Sequence, residues 1–266
     1  MLKRLLLTGA AGGVGRAIRP MLRDIAEHVV LSDIGEIDDV GACETFIRCD
    51  LADAAGVAKL VENVDGIIHL GGISVEKRFE LIVGGNIVGL YNLYEAARHS
   101  GRPRIVFASS NHVVGYYRRD ERLDNTVAPK PDSLYGASKV FGEAVASLYF
   151  DKFGQETLSV RSGSCFEKPV NTRMLATWLS ARDFFSLCKR AFVAPRIAHT
   201  VVYGASANDE QWWDNRNAGF LGWKPEDTSA KWRIEVEAAA GREDPTDPAV
   251  IYQGGAFASA GHPDDA

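Results

Sequence analysis

The chain has 266 residues, which suits one domain, or one large domain with a small appended lobe. An apolar share of 46% and a charged share of 24% sit near the globular average and argue against global disorder. The formal net charge is -5 and no stretch is strongly basic, which argues against nucleic acid as a partner, because phosphate neutralisation needs clustered Lys and Arg.

The first residues put Lys3 and Arg4 before an apolar run that is too short for a secretion signal and leads straight into a Gly-rich turn. No stretch approaches the roughly 20 apolar residues of a membrane span, so no membrane partner is expected. The four cysteines, Cys43, Cys49, Cys165 and Cys188, form no C-x-x-C pair. Neither a metal site nor a redox motif is expected, and reduced thiols in a cytoplasmic protein are the plain reading.

Short β-type runs alternate with longer helical patterns. Strands are expected at residues 5–8, 29–31, 46–49, 66–70, 104–108 and 157–161. Helices are expected at 13–26, 57–61, 86–98 and 133–153; the third shows one apolar stripe through Ile87, Leu90, Leu93, Tyr94 and Ala97. This alternation means βαβ units and a parallel sheet, hence an α/β, Rossmann-like doubly wound fold over residues 1–165. Past residue 165 the pattern changes, with helices expected at 176–194 and 231–240, a strand at 199–203, and a Trp- and Asn-rich stretch at 211–223. Residues 166–266 are expected to form a small lobe over the substrate side of the same integrated domain. The Gly- and Ala-rich end from Gly254 is expected to be irregular or to serve in subunit contact.

In such a fold the ligand lies beyond the carboxyl ends of the strands. After the first expected strand come Gly9, Gly12, Gly13, Val14 and Gly15, spaced G-x-x-G-x-x-G. Gly9 permits the tight exit from the strand, Gly12 lets backbone approach a pyrophosphate, and Gly15 lets the helix pack close to the sheet. The anion then meets free amides and the positive end of a helix. Asp33 ends the second strand where a ribose-binding acid is expected, and its charge would repel a 2′-phosphate, so NAD is the expected cofactor. Asp50 and Leu51 follow the third strand and are placed around the adenine, although Asp50 also suits a helix cap. Leu70, Gly71 and Gly72 follow the fourth strand, where small residues let a cofactor lie close. Asn86 is placed with the cofactor as well, its alternative role being a helix cap.

Tyr135 and Lys139 form a Y-x-x-x-K on a helix, where positions i and i+4 share a face. A free phenol ionises near 10, too high for an efficient base at neutral pH, and an adjacent ammonium favours the phenolate. Ser109 and Ser110 end the fifth strand, so a hydroxyl at Ser110 can hold the reacting oxygen, with Ser109 beside the cofactor. Glycine loop, ribose acid, strand-end serine and Tyr–Lys helix stand in the order that hydride-transfer chemistry requires.

The glycine spacing, Asn86, Ser109-Ser110 and Tyr135/Lys139 resemble the extended short-chain dehydrogenase/reductases over about residues 1–165. A narrower likeness, to the uronate dehydrogenases, spans nearly the whole chain. It rests on Leu70-Gly-Gly-Ile-Ser-Val-Glu-Lys, Ala108-Ser-Ser-Asn-His, Tyr149-Phe-Asp-Lys-Phe-Gly-Gln-Glu, Gly204-Ala-Ser-Ala-Asn-Asp and Trp212-Trp-Asp-Asn. It implies NAD-dependent oxidation of D-galacturonate or D-glucuronate at the anomeric carbon to an aldarolactone, by a homo-oligomer. It implies Tyr135 as base, Lys139 as its partner and Ser110 as hydroxyl holder. It places Ser74, Asn111, His112 and Ser164 against the sugar, and Arg173 on the carboxylate. The alternatives are a nucleotide-sugar epimerase or dehydratase and a non-catalytic NAD-sensing protein. The former usually carry a longer C-terminal lobe than the roughly hundred residues after the sixth strand, and the latter can dispense with the Tyr and Lys present here.

Overall fold

Leu5, Leu6 and Leu7 have no exposed surface, and alternate side chains along a strand point to opposite faces. Leu5 and Leu7 enter one apolar cluster and Leu6 the other, so β1 (Leu2–Thr8) must be covered on both sides. The computed structural model, which describes residues 1–265, shows how. β1 lies inside, between β2 and β4, in a seven-stranded parallel sheet of order β3-β2-β1-β4-β5-β7-β8. The other strands are β2 (Ala26–Asp33), β3 (Glu44–Arg48), β4 (Gly66–His69), β5 (Arg104–Ser110), β7 (Thr157–Ser162) and β8 (His199–Gly204). Leu123–Asp124 (β6) and Trp213–Asp214 (β9) pair separately. On one face α1 (Gly13–Ile18) and α7 (Ala181–Val193) pack with Ile18, Phe184, Leu187 and Cys188. On the other lie α2 (Ala54–Leu60), α4 (Gly89–His99) and α5 (Leu134–Phe153), contributing Val57, Leu90, Leu93, Tyr94, Val145 and Tyr149. Among the described residues no helix is long and apolar enough to cross a membrane.

The chain moves outward from β1 to β2 and β3, then returns to β4 on the other side of β1 and continues to β5. The sheet order therefore reverses between β1 and β4, and the crevice beyond their carboxyl ends is where ligands bind in doubly wound sheets.

Four expected elements differ in detail. The helix expected at 13–26 turns into a 3-10 segment at Arg19–Asp24, where Pro20 removes a donor and crowds the preceding turn. The helix expected from residue 86 begins earlier, as α3 (Phe79–Ile82) and a π-helical stretch, Val83–Val88, leading into α4. The helix expected at 176–194 is two, α6 (Thr172–Thr177) and α7, with Ser180 capping α7 by accepting from Asp183 N at 3.0 Å. The strand expected in the covering lobe is β8, which extends the main sheet by pairing with β7.

The tail beyond α8 (Arg233–Ala240) is not irregular, as one of the two expectations had it. It forms α9 (Pro248–Ile251) and α10 (Ala256–Ser259), folded back on its own chain. Gln253 is fully buried, donating to the Arg118 and Glu121 carbonyls (3.0 and 2.8 Å) and accepting from Trp213 Nε1 at 2.8 Å.

The β1–α1 junction gives a first prediction. A Cβ on Gly15 would lie 2.4 Å from Gly9 O and 2.9 Å from Ala10 Cα, both backbone atoms that cannot move aside alone. Gly15→Ala is expected to cost about 1–3 kcal/mol through overpacking. Thermal melting should show a lowered Tm, and NAD titration a weakened affinity.

Candidate active site

The glycine loop touches the loop after β4. Gly9 has φ 70°, and a Cβ there would stand 2.7 Å from both Leu70 C and Gly71 N. Gly12 N donates to Gly9 O at 3.1 Å, and Gly12 offers no side chain to cap α1. Beyond it, a Cβ on Gly13 would meet nothing within 4 Å, so backbone borders open space there. Val14 is half-buried and packs against the core below. Asp33 binds the loop: its Oδ2 accepts from Ala11 N at 2.9 Å and Oδ1 from Gly35 N at 3.0 Å. Leu51 is buried, with Cδ1 2.7 Å from where a Gly71 Cβ would be. Asp50 is exposed and accepts from Ala52 N at 2.9 Å, while Asp53 caps α2. Leu70, Gly71 and Gly72 complete the far wall, with Gly71 N donating to Thr8 Oγ1 at 3.2 Å. A narrow, backbone-lined cleft with one carboxylate at its rim fits a dinucleotide.

Tyr135 and Lys139 are one turn apart on α5, and both are buried. Lys139 Nζ donates to the Ala108 carbonyl at 2.8 Å and lies 5.5 Å from the Tyr135 ring centre. Burial pushes the phenol up to about 12, with a Ser110 hydrogen bond opposing, and draws the Lys139 ammonium down to about 8. The first turn of α5 is held by Ser133, which accepts from Gly136 N at 2.9 Å, and by Glu76, which accepts from Leu134 N (3.0 Å) and Tyr135 N (2.8 Å). A carboxylate there also complements the helix dipole. Ser110 Oγ accepts from His112 N at 3.2 Å. Ser109 is committed elsewhere: its hydroxyl donates to Glu143 Oε1 at 2.6 Å, within a buried pair of Glu143 and Arg161. Asn86 lies in the π-helical stretch and caps no helix. It accepts from Ile73 N (2.7 Å) and donates to Ile73 O (2.9 Å) and Ser138 Oγ (2.8 Å), tying the β4 loop to α5.

Next along the chain from Ser110, and around Arg173, stand the polar side chains expected to meet a sugar. Ser74 is exposed on the loop after β4. Asn111, oriented to match its neighbours, donates to Ser162 O at 3.0 Å and accepts from Arg173 Nη2 at 2.5 Å. Arg173 also donates from Nε to Gln253 O (2.6 Å) and from Nη1 to Ser164 Oγ (3.2 Å). Among the described residues no carboxylate lies within ion-pair distance of this guanidinium. Burial, with Arg119 nearby, lowers it to about 10. His112 lies edge-on to Tyr135, ring centres 5.8 Å apart.

A model of the NAD dependent epimerase/dehydratase family matches residues 5–180. The chain belongs to this family. It is 56% identical to the uronate dehydrogenase of Agrobacterium fabrum, over 96% of this chain and 97% of that protein. It superposes on the crystal structure of a glucuronic acid dehydrogenase from Chromohalobacter salexigens with a TM-score of 0.99, at 62% identity and full coverage of both chains. A mutant of the Agrobacterium tumefaciens uronate dehydrogenase complexed with NAD matches at 55% identity and a TM-score of 0.95, covering 97% and 98% of the two chains.

For a member of this NAD-dependent family, the sequence reading missed four residues that the fold brings to the cleft. Glu76 grips the start of α5, Asp132 contacts His112, Gln253 holds Arg173, and Phe257 stacks on His112 with ring centres 3.9 Å apart. Glu76 had a readable signal, a lone carboxylate on a strand-end loop. Phe257 had none, since its partner is far away in the chain and its own surroundings are Gly and Ala.

Proposed function

We propose that this protein is an NAD-dependent uronate dehydrogenase, oxidising cyclic D-galacturonate or D-glucuronate at C1 to the aldarolactone. The observation that carries this reading is the guanidinium of Arg173, which has no carboxylate partner among the described residues and is hydrogen-bonded to Asn111, the residue after Ser110. A planar fork of donors suits a sugar carboxylate, which supplies the missing charge.

Gly9, Gly12, Gly13, Val14 and Gly15 hold the pyrophosphate, Asp33 accepts from the adenosine ribose, Asp50 and Leu51 flank the adenine, and Leu70, Gly71 and Gly72 border the cofactor with Asn86 and Ser109 behind them. Bound NAD supplies the hydride acceptor. Ser110 holds the anomeric hydroxyl, Lys139 favours Tyr135 as the phenolate and reaches the nicotinamide ribose, and that phenolate takes the hydroxyl proton and becomes the neutral phenol. Ser74, Asn111, His112 and Ser164 hold ring hydroxyls. Because the ring oxygen stays bonded to C1, removing hydride from that carbon gives a lactone.

The test is NADH absorbance with galacturonate, glucuronate, galactose and glucose, each with NAD and with NADP. We expect turnover of the uronates and at least about 100-fold lower kcat/KM for the neutral sugars, the size expected for an unmatched buried charge. NADP should be the poorer cofactor, because Asp33 repels a 2′-phosphate. Equal rates for acid and neutral sugars would remove the carboxylate role. Bound NAD without net reduction would favour an epimerase. We also place the enzyme in the cytoplasm as a homo-oligomer; the exposed apolar side chains Tyr91 on α4 and Leu148 on α5 support association, and sedimentation tests it.

A further inference from the structure

His112 is held on several sides. Its Nδ1 lies 2.7 Å from Asp132 Oδ2, one ring face stacks on Phe257, and its edge meets Tyr135. The side chain of Asp132 has no exposed surface. Two backbone segments far apart in sequence close on the same carboxylate oxygen: a Cβ on Gly115 would lie 1.8 Å from Oδ2, and one on Gly254 1.9 Å. Only residues without a side chain fit there, so the position of that oxygen is fixed by the main chain.

The hydrogen bonds around Asp132 also have a fixed direction. Gly136 N–H donates to Ser133 Oγ at 2.9 Å, and the Ser133 hydroxyl donates onward to Asp132 Oδ1 at 2.9 Å. The carboxylate then has Oδ2 left to accept, and the atom facing it is His112 Nδ1. A carboxylate opposite a ring nitrogen demands N–H there, and the proton on one nitrogen of a neutral imidazole leaves a lone pair on the other. Among the described residues the ring makes no second hydrogen bond.

We infer that Asp132 is a positioning residue that holds His112 as its Nδ1–H tautomer, so that Nε2 presents a lone pair to a hydroxyl of the sugar. The identity of that donor rests on the function proposed above; the tautomer does not. An acceptor at this point admits a hydroxyl and rejects an analogue lacking the proton, because a buried polar group would be left unpaired. The ring must also be neutral to accept. Burial lowers its proton affinity and Arg173 acts the same way, while Asp132 and Glu76 act against them, and the net direction is downward from 6.5. Lys139 lies on the same helix as Tyr135, and its ammonium is committed to the Ala108 carbonyl.

The experiment uses the full chain labelled with nitrogen-15 in histidine, with His112→Gln to assign its resonances. His112 is expected as the Nδ1–H form in the wild type. Asp132→Asn is nearly isosteric, and Ser133 still requires an acceptor, so the amide oxygen takes the Oδ1 place and the NH2 faces His112. The tautomer should then reverse. Kinetically, Asp132→Asn should lower kcat/KM for the uronate about 10–100-fold, mainly through KM, with the NAD Kd unchanged. The His112 titration, followed on the same nitrogen-15 resonances, should move to lower pH, because the carboxylate that favours the imidazolium is gone; a purely structural role would not move it. Finding His112 as Nε2–H in the wild type overturns the inference, and that measurement needs no folded variant. An unreversed tautomer in a folded Asp132→Asn protein overturns it too. Should uronates fail as substrates while His112 is Nδ1–H, the tautomer assignment stands and the substrate assignment falls.

Discussion

Tyr135→Phe is expected to lower kcat about 100- to 10,000-fold while leaving NAD affinity and Tm close to those of the parent. The range is that of a positioned general base. The substitution removes one oxygen and keeps the ring, so the edge contact with His112 and the packing beside Phe257 remain. The backbone amide of residue 135 still donates to Glu76, and the helix start is undisturbed. Single-turnover hydride transfer and calorimetric NAD binding separate the two effects; retained kcat would refute the base assignment. The companion prediction concerns pH. With the phenol at about 12 and Lys139 at about 8, both groups are protonated at pH 7; the small phenolate fraction grows with pH, and Lys139 keeps the charge that favours it only up to about 8. Rates should therefore climb with pH below that value. Lys139→Met removes the cation that favours the phenolate, so the rate at each pH below about 8 should fall and its rise with pH should continue past that value.

The parts of this site legible in the sequence are those written locally. Gly9, Gly12 and Gly15 declare a tight strand-to-helix turn within seven residues, and Tyr135 and Lys139 share a helix face because they are four apart. The alternation of Leu5, Leu6 and Leu7 between two clusters follows from strand period alone. What was not legible depends on contacts between distant segments. Apolar residues at 199–203 indicate a strand, but nothing in them tells that it lies beside β7. The π-helical stretch that turns Asn86 toward Ile73 and Ser138 has no period of its own in six residues. Asp132 reads as a turn residue before a helix cap, and its meaning comes from Gly254, more than a hundred residues later. Pro20 is the exception: a local signal that ends α1 although apolar spacing continues through it.

Replacing Arg173 with Met is expected to separate activity from stability. The guanidinium sits where water is largely excluded, with three neutral partners, Gln253 O, Ser164 Oγ and the Asn111 amide oxygen, and no anion among the described residues. Burial holds its proton affinity at about 10, below the ordinary 12.5. A base whose folded pKa is depressed opposes folding below that pKa, and the penalty fades only as pH rises through about 10 toward 12.5. At neutral pH the charge is thus a cost to the fold, of the kind that binding sites carry. Arg173→Met fills similar volume without that charge, so Tm should hold or rise. The same change leaves a substrate carboxylate buried without its counter-ion, which costs about 2–5 kcal/mol, or roughly 30- to 4,000-fold in kcat/KM, mostly through KM. Neutral aldoses should lose little. Arg173→Lys keeps a charge but not the planar fork and should recover only part of the loss. A parallel fall for acid and neutral sugars, or a Tm that drops with activity, would mean that Arg173 supports the tail at Gln253 rather than the substrate.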